Sequence, residues 1–507
     1  MPTLKIDNTE ISVPEGTTIL KAAEQAGFHI PVMCYNENVL NHASCMVCAV
    51  KNNLTGEFIP SCEAKVIDGM DISCETPEVK TFRKDALELL LSDHVGDCEA
   101  PCRVSCPSNL DIPQMNRLIA DGKFTEALKV VREEVALPLI LGHICSATCE
   151  NACRRKQAGG AISICQLQKF TALEDLKKEQ NYFPEKKPQT GKTIAIIGAG
   201  IAGLSTAYHL LKDGHKCIIF DKNEFAGGSL LDVSENELPR NILNSEIDIL
   251  KQFGAEFRLN SEVSYNLLQK DFNTVIISTG SNSNIQSLDI DNETFQTNIK
   301  GVFACGSVIK PIKMAVKAMV QGKTVAHSVN AYLSGNKYNF HKQFNSRFGK
   351  LSEIEVIEYL KESVEGNRLN PKQGNLLGFT AEEAITEAKR CMRCDCRKSK
   401  SCKLRNLSDF YNAKQQTFNF GERKTIRKLF QQNVLVYELE KCIKCGLCIK
   451  VASKNPKLAG FAYIGRGFDI KIDTPFNKSL EEAISTSAKE CINTCPTGAL
   501  ADYNGEN

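Results

Sequence analysis

The placement of cysteine constrains this chain more than any other feature. Twenty-three cysteines stand among 507 residues, and most fall in tight groups such as C-x2-C and C-x3-C. A disulfide scaffold suits a short secreted chain. This length and these spacings point instead to thiolates ligating metal in a reducing compartment. The amino terminus, MPTLKIDNTEISV, has no basic stretch followed by an apolar one, and the longest apolar run, VALPLILGHI, is too short to span a bilayer. A cytoplasmic chain without membrane insertion is the expectation. Lysine plus arginine number 62 against 60 acidic residues, so no global charge points to nucleic acid or to a membrane surface.

The pattern divides the chain into seven stretches. Residues 1–80 open with a strand-like LKI, a turn at Asp7-Asn8, a second strand ISV and a helix ILKAAEQAG, followed by cysteines in irregular loops. Residues 81–170 read as helical with two cysteine-rich turns, and 171–190 as a polar, proline-containing linker. Residues 191–335 alternate strand and helix, and 336–390 read as a helical connector. The last cysteine groups lie in 391–430 and 431–507.

In the first stretch, Cys34, Cys45, Cys48 and Cys62 are spaced C-x10-C-x2-C-x13-C. Four thiolates in loops after such a strand–helix pattern suit a [2Fe–2S] centre, with zinc as the rival. The spacing resembles the amino-terminal ferredoxin-like domain of the large peripheral subunit of complex I and of iron-only hydrogenases. That likeness implies a β-grasp fold. Cys74 lies outside the pattern and reads as a buried small side chain.

The second stretch holds HVGDCEAPCRVSCPSNLDIP, then GHICSATCENAC, then AISICQLQKF. The Cys-Pro, the DIP turn and the C-x3-C-x3-C resemble the two-cluster domain of the glutamate synthase small subunit and of dihydropyrimidine dehydrogenase. The resemblance implies two [4Fe–4S] clusters whose ligands cross over. Cys98, Cys102 and Cys153 would hold one, with His94 as the only candidate for its fourth ligand. Cys106, Cys145 and Cys149 would hold the other. Its fourth ligand is Gln168 by position in that family or Cys165 by thiolate chemistry, and the two stay open here.

The third motif is TIAIIGAGIAGLSTAYHLLKDGHKCIIFDK. Gly198, Gly200 and Gly203 permit a tight turn, a close approach to a pyrophosphate at a helix start, and close helix–strand packing. Asp221 ends the next strand, where an acid can accept from ribose hydroxyls. Gly227-Gly228, the STG ending at Thr279-Gly280 and the segment KGVFACGSVIKPIKMAV resemble two-dinucleotide flavoproteins, which implies FAD. Two departures stand out. The closing motif has Gly306-Ser307 where the family has Gly-Asp. Only residues 281–300 separate the STG strand from that motif, and a βαβ nicotinamide unit needs about 30 residues. The chain is therefore expected to lack its own NAD(P)H site. Cys217 and Cys305 read as core thiols.

Near the carboxy end, Cys391, Cys394, Cys396 and Cys402 lie within twelve residues and suit one [4Fe–4S] cluster or a zinc ion. Arg390, Arg393, Arg397, Lys398, Lys400 and Lys403 around them read as cations balancing an anionic centre. No aromatic platform for nucleic acid accompanies them. Cys442, Cys445, Cys448 and Cys495, with GRG and CPTGAL, resemble the [4Fe–4S] segment of the complex I subunit. Cys491 is spare.

The expected fold class is thus multidomain α+β and α/β: a β-grasp ferredoxin-like domain, a helical two-cluster domain, a Rossmann-like FAD domain without an NADPH domain, and a carboxy-terminal Fe–S region. The cofactors expected are one [2Fe–2S], four [4Fe–4S] and FAD. The favoured function is an electron-transfer subunit of a larger oxidoreductase. Its partner would be a catalytic redox subunit of NADH dehydrogenase, formate dehydrogenase or hydrogenase type, and ferredoxin is a further candidate partner. The alternatives are a self-contained ferredoxin-dependent flavoenzyme of glutamate synthase type and a cluster scaffold without a working flavin. No catalytic triad or metal-hydrolase motif appears.

Overall fold

The computed structural model describes the 507 residues except 40–42, 282–287, 339–340, 420, 422–423, 432–433, 456–458 and 506–507, and the side chain of 468. The chain forms two compact units. The first comprises Met1–Glu99, Lys342–Lys361 and Cys394–Asn507, and the second Ala100–His341 and Glu362–Arg393. Of the stretch read as a helical connector, 342–361 falls in the first unit and 336–341 and 362–390 in the second.

In the first unit, strands Thr3–Ile6 and Thr9–Ser12 pair antiparallel. Asp7 and Asn8 make the connecting turn with φ of 40° and 70°, a left-handed conformation that short polar residues tolerate. Met70–Ser73 lies parallel to Thr3–Ile6, and Ala49–Asn52 and Phe58–Pro60 complete the mixed sheet. Leu4, Ile6, Ile19, Ala22, Ala23 and Ile72 close the core between this sheet and helix Ile19–Gln25. Thr18 caps the helix by accepting from Lys21 N. A second sheet joins Lys428–Gln431, Leu435–Glu438 and Leu500–Asp502, all antiparallel. The GRG segment forms the turn of a hairpin between Ala462–Ile464 and Lys471–Asp473.

The second unit is organised on a parallel sheet with spatial order Glu256–Arg258, Lys216–Phe220, Thr193–Ile197, Thr274–Ile277, Val302–Ala304. In chain order this is 3-2-1-4-5, the doubly wound arrangement, which binds ligands where the order reverses beside the first strand. Helices Ile201–Lys212 and Ala315–Leu333 pack together, and Ser205 Oγ donates to Met319 O at 2.7 Å. Helices Ile112–Ala120, Phe124–Glu134, Pro138–Ile144 and Ile164–Leu176 form a helical layer sharing one core with the sheet. Arg132 and Glu246 tie the layer down through a fully buried ion pair at 3.4 Å, and Glu246 also accepts from Leu139 N at 2.7 Å. Tyr208 donates to Arg132 O at 2.8 Å. Among the described residues, no helix is long and apolar enough to cross a membrane.

Candidate functional site

All twenty-three cysteines are free thiols. Two kinds of surroundings recur among them. In the first kind, backbone N–H groups point at the sulfur, and one turn geometry recurs: the N–H two residues on faces back to the thiol. Val47 does this for Cys45, Ser108 for Cys106, Ala147 for Cys145, Arg155 for Cys153, Lys398 for Cys396, Lys444 for Cys442 and Leu447 for Cys445. Such donors stabilise thiolate charge, as a metal-bound sulfur requires. The turns are held at a conformational cost. Met46, Ala147, Arg393 and Lys444 carry φ of 55°, 50°, 49° and 57°, a region that residues with a Cβ seldom occupy and that is retained mainly at working sites.

The second kind faces oxygen. Cys74 donates to Asp7 Oδ2 at 2.8 Å, Cys217 to Ala207 O at 3.9 Å and Cys491 to Cys448 O at 3.8 Å. Cys305 contacts the Thr206 hydroxyl at 3.7 Å. These four are the thiols that the sequence leaves outside every ligand group.

Within the first unit, Cys34 hydrogen-bonds Cys45, and Cys48 hydrogen-bonds Cys62. The shared proton with Cys45 holds Cys34 down at about 5 and pushes Cys45 far up. Cys442, Cys445 and Cys448 all feel the charge of Cys495, so these four also converge. Cys34 in turn acts on Cys445, which makes the two groups neighbours. Lys398 donates to the carbonyls of Ile492 and Cys495 at 3.0 and 2.8 Å. Arg397 is buried and donates to Tyr503 O at 3.1 Å. Arg397 and Lys398 are thus tied to backbone carbonyls, while Lys400 and Lys403 are exposed. A cavity of about 570 Å³ in this unit is lined by Tyr35, Lys398, Lys403 and Cys495, among others.

Also in the first unit, Cys98, Cys396 and Cys402 sit together. Burial first, then the charge of Cys396, pushes Cys98 up to about 11, and burial followed by Cys396 and Cys98 pushes Cys402 to about 12. His94 is buried, and its Nδ1 faces Lys441 O at 3.0 Å. Burial lowers its pKa to about 4, so the ring is neutral near pH 7.

Within the second unit, Cys145 and Cys149 both hydrogen-bond Cys165, and Cys106 feels both. Cys165 starts helix Ile164–Leu176, and Glu150 fixes its N–H at 3.0 Å. Gln168 instead donates its amide to Pro138 O at 3.2 Å. Cys153 neighbours both Cys391 and Cys149. Arg390 pairs with Glu387 at 2.8 and 2.9 Å and reaches Gly159 and Gly160 carbonyls at 2.7 and 3.0 Å. That buried pair pins the turn before Cys391 to the loop after Cys153. Cys102 also lies in this unit, whereas Cys98 and Cys394 belong to the first. Resemblance implies Cys98 with Cys102 and Cys153, and spacing alone suggests Cys391 with Cys394, Cys396 and Cys402. Among the described residues, no three His, Cys, Asp or Glu side chains close around a point that could hold a single metal ion. Clusters separate their ligand sulfurs more widely than one ion does.

The glycine cradle is complete in shape. Gly198 has φ of 110°, and a Cβ there would strike the backbone of Ser278 and lie 3.1 Å from Thr279 Cα. A Cβ on Gly203 would strike Gly198 O and lie 2.7 Å from Ser278 Oγ. Gly200 is the N-cap of helix Ile201–Lys212 and offers no side chain to its N–H groups. Gly227 bridges to Gly200, and Gly228 has room for no Cβ, which would meet Gly200 Cα at 2.9 Å. Such an open helix start framed by glycine backbone fits a pyrophosphate. Asp221 accepts from Ala199 N at 2.7 Å and Asn223 N at 2.9 Å, which sets its carboxylate at the cradle's edge. Gly306, with φ of 82°, donates its N–H to Gln321 Oε1 at 2.8 Å. Ser307 Oγ accepts weakly from Ile312 N at 3.4 Å. Between the strands ending at Ile277 and starting at Val302, the described residues hold bridge pairings of Ile290 with Thr297 and Gln296 with Phe303, and no helix or strand.

Four families match separate parts of the chain. Residues 1–77 match the 2Fe-2S iron–sulfur cluster binding domain, and 92–181 match dihydropyrimidine dehydrogenase domain II, 4Fe-4S cluster. Residues 193–230 match FAD dependent oxidoreductase, and 432–501 match the ferredoxin-like domain of NADH-quinone oxidoreductase subunit 3. Each match covers its own part of the chain, and none reaches half of it. Among its relatives is the NADP(+)-dependent formate dehydrogenase subunit beta of Moorella thermoacetica, 36% identical over 207 residues, which are 36% of this chain and 29% of that one. The NADPH-Fe(3+) oxidoreductase subunit beta of Geobacter sulfurreducens is 29% identical over 258 residues, 47% of this chain and 37% of that one. The glutamate synthase [NADPH] small chain of Escherichia coli K12 is 29% identical over 223 residues, 42% of this chain and 46% of that one. The chain thus spans less than half the length of each of these relatives.

Proposed function

We propose that the chain is an iron–sulfur flavoprotein relay that carries electrons between the catalytic subunit of a larger oxidoreductase and another carrier. The observation that carries this reading is the sorting of the cysteines. Nineteen lie in groups at cluster spacing or beside such groups, while Cys74, Cys217, Cys305 and Cys491 turn their sulfurs to oxygen. Cys34, Cys45, Cys48 and Cys62 hold the [2Fe–2S] centre of a β-grasp ferredoxin-like domain, and Cys442, Cys445, Cys448 and Cys495 hold a [4Fe–4S] centre beside it. Cys106, Cys145, Cys149 and Cys165 hold another, with Gln168 outside the set. Twenty-three free thiols suit a reducing, cytoplasmic compartment.

FAD is the dinucleotide that the cradle fits best, because the glycine pair Gly227-Gly228 and the closing segment at Gly306-Ser307 accompany it. A bound flavin supplies the interchange between two-electron and single-electron chemistry. The chain's own contribution is to hold the pyrophosphate on the N–H groups after Gly200 and to place Asp221 for the ribose. A partner docks outside this chain. Formate dehydrogenase, hydrogenase and NADH dehydrogenase subunits are the candidates, with ferredoxin as a carrier.

This reading has a direct kinetic consequence. The purified chain alone is expected to be reduced by dithionite and not by NADH or NADPH, because residues 281–300 leave no room for a nicotinamide domain. Anaerobic stopped-flow bleaching of the flavin and cluster bands measures this. Stoichiometric bleaching by NADPH without a partner would return the chain to the self-contained flavoenzymes.

A further inference from the structure

Three passes of the chain meet at Cys98. The first runs through His94 and Cys98 just before the chain leaves the first unit after Glu99. The second is the short return Lys342–Lys361, and the third begins at Cys394. Ser346, on the second pass, donates its N–H to Cys98 Sγ at 3.4 Å and accepts from Cys98 N at 3.2 Å. Cys396, on the third pass, donates its N–H to Cys98 O at 3.1 Å. Arg405 N points at Cys402 Sγ at 3.5 Å. The side chain of Cys396 lies directly against Gly498, where a Cβ would strike its sulfur.

The surroundings are those of an anionic centre. Cys98, Cys396 and Cys402 are 7%, 8% and 5% exposed, too little for water to stabilise their thiolates. Arg405 and Lys441 lie close enough to act on Cys98, and Lys441 acts on Cys396 too. Arg405 is itself fixed, donating to Phe344 O at 2.9 Å and Glu99 Oε1 at 2.7 Å. Three buried sulfurs, each met by a backbone N–H and together flanked by two cations, are not disulfide-bonded. His94 stands four residues before Cys98, at the end of helix Pro77–Asp93. Its Nδ1 faces a carbonyl, which only accepts, so Nδ1 carries the proton and Nε2 keeps its lone pair. A ligating histidine is oriented in this way.

We propose that Cys98, Cys396 and Cys402, with His94 Nε2 as the fourth ligand, hold one [4Fe–4S] cluster that clamps the outgoing and returning passes of the chain within the first unit. The proposal rests on the reading of the chain as a cluster relay and assigns its most divided ligand set. Nearly three hundred residues separate Cys98 from Cys396, so this cluster can form only after the intervening unit has been threaded out and back. Cys402 also feels Cys495, which makes the cluster a neighbour of the carboxy-terminal set. Cys102, Cys153 and Cys391 then belong to a separate set in the second unit.

The test is a set of alanine variants of the full chain, purified anaerobically. Each is read by native mass spectrometry for clusters bound and by EPR of the reduced protein. C98A, C396A and C402A are each expected to lose the same single cluster, with about four fewer irons. The double variant C98A/C396A should lose no more than either alone, whereas C98A/C102A should lose two clusters. Retained [2Fe–2S] signal and flavin report that the rest has folded. If C98A and C102A lose the same cluster, or C98A and C396A lose different ones, the assignment is overturned. H94A should lose that cluster or alter its EPR signal, and H94C should keep it at a lower midpoint potential, since thiolate is the more electron-rich ligand. Loss in C394A with H94A unaffected would overturn the histidine ligand. A wild-type chain without these irons would instead count against the relay itself.

Discussion

Cys165→Ala is expected to remove one whole [4Fe–4S] cluster, about four irons per chain, while Gln168→Ala leaves the iron content unchanged. The contrast follows from what the two side chains touch. Cys165 is hydrogen-bonded to both Cys145 and Cys149, at the amino end of helix Ile164–Leu176. Gln168 lies one turn further along, and its amide is already donated to Pro138 O. Without Cys165, three ligands remain around a buried anionic centre, and the cluster is open to loss. Iron and acid-labile sulfide assays measure the difference. Loss of iron in Gln168→Ala with none in Cys165→Ala would reverse the assignment.

Gly203→Ala is expected to lower flavin content tenfold or more with iron content retained. The added methyl would strike Gly198 O and crowd Ser278 Oγ, so helix Ile201–Lys212 must move off the strand that ends at Ile197. Overpacking of this kind costs about 1–3 kcal/mol, and the displacement falls on the loop that presents N–H groups to the pyrophosphate. The [2Fe–2S] set Cys34 to Cys62 lies in the other unit, so its signal serves as the folding control. Flavin released on denaturation is the readout, and a wild-type flavin content in this variant would contradict the cradle as the binding site.

What could be read from the sequence was whatever is local. G-x-G-x-x-G after an apolar strand announces its turn because each glycine answers a contact within a few residues, and the parallel sheet follows it. Cys34 to Cys62 and Cys442 to Cys448 likewise announce themselves, since each set is closed by one or two adjacent loops. The division of Cys98 from Cys102 is different. Four residues apart in sequence, they fall in different units, and Cys98 meets Ser346 and Cys396 on the returning passes. Spacing carries no information about a contact of that range. The sequence leaves Cys165 and Gln168 open, and the proposal of Cys165 rests on the hydrogen bonds of both side chains. The left-handed turns at Ala147, Arg393 and Lys444 gave no signal either, since none is a glycine or asparagine. A cysteine two positions earlier is their one shared mark.

The central claim is that the cysteines of this chain serve clusters that feed a flavin. Anaerobic purification followed by iron, sulfide and flavin analysis tests it most directly. One [2Fe–2S] and four [4Fe–4S] centres predict about eighteen irons with matching sulfide and one flavin per chain. Fewer than about twelve irons, or zinc in their place, would contradict the five-cluster relay.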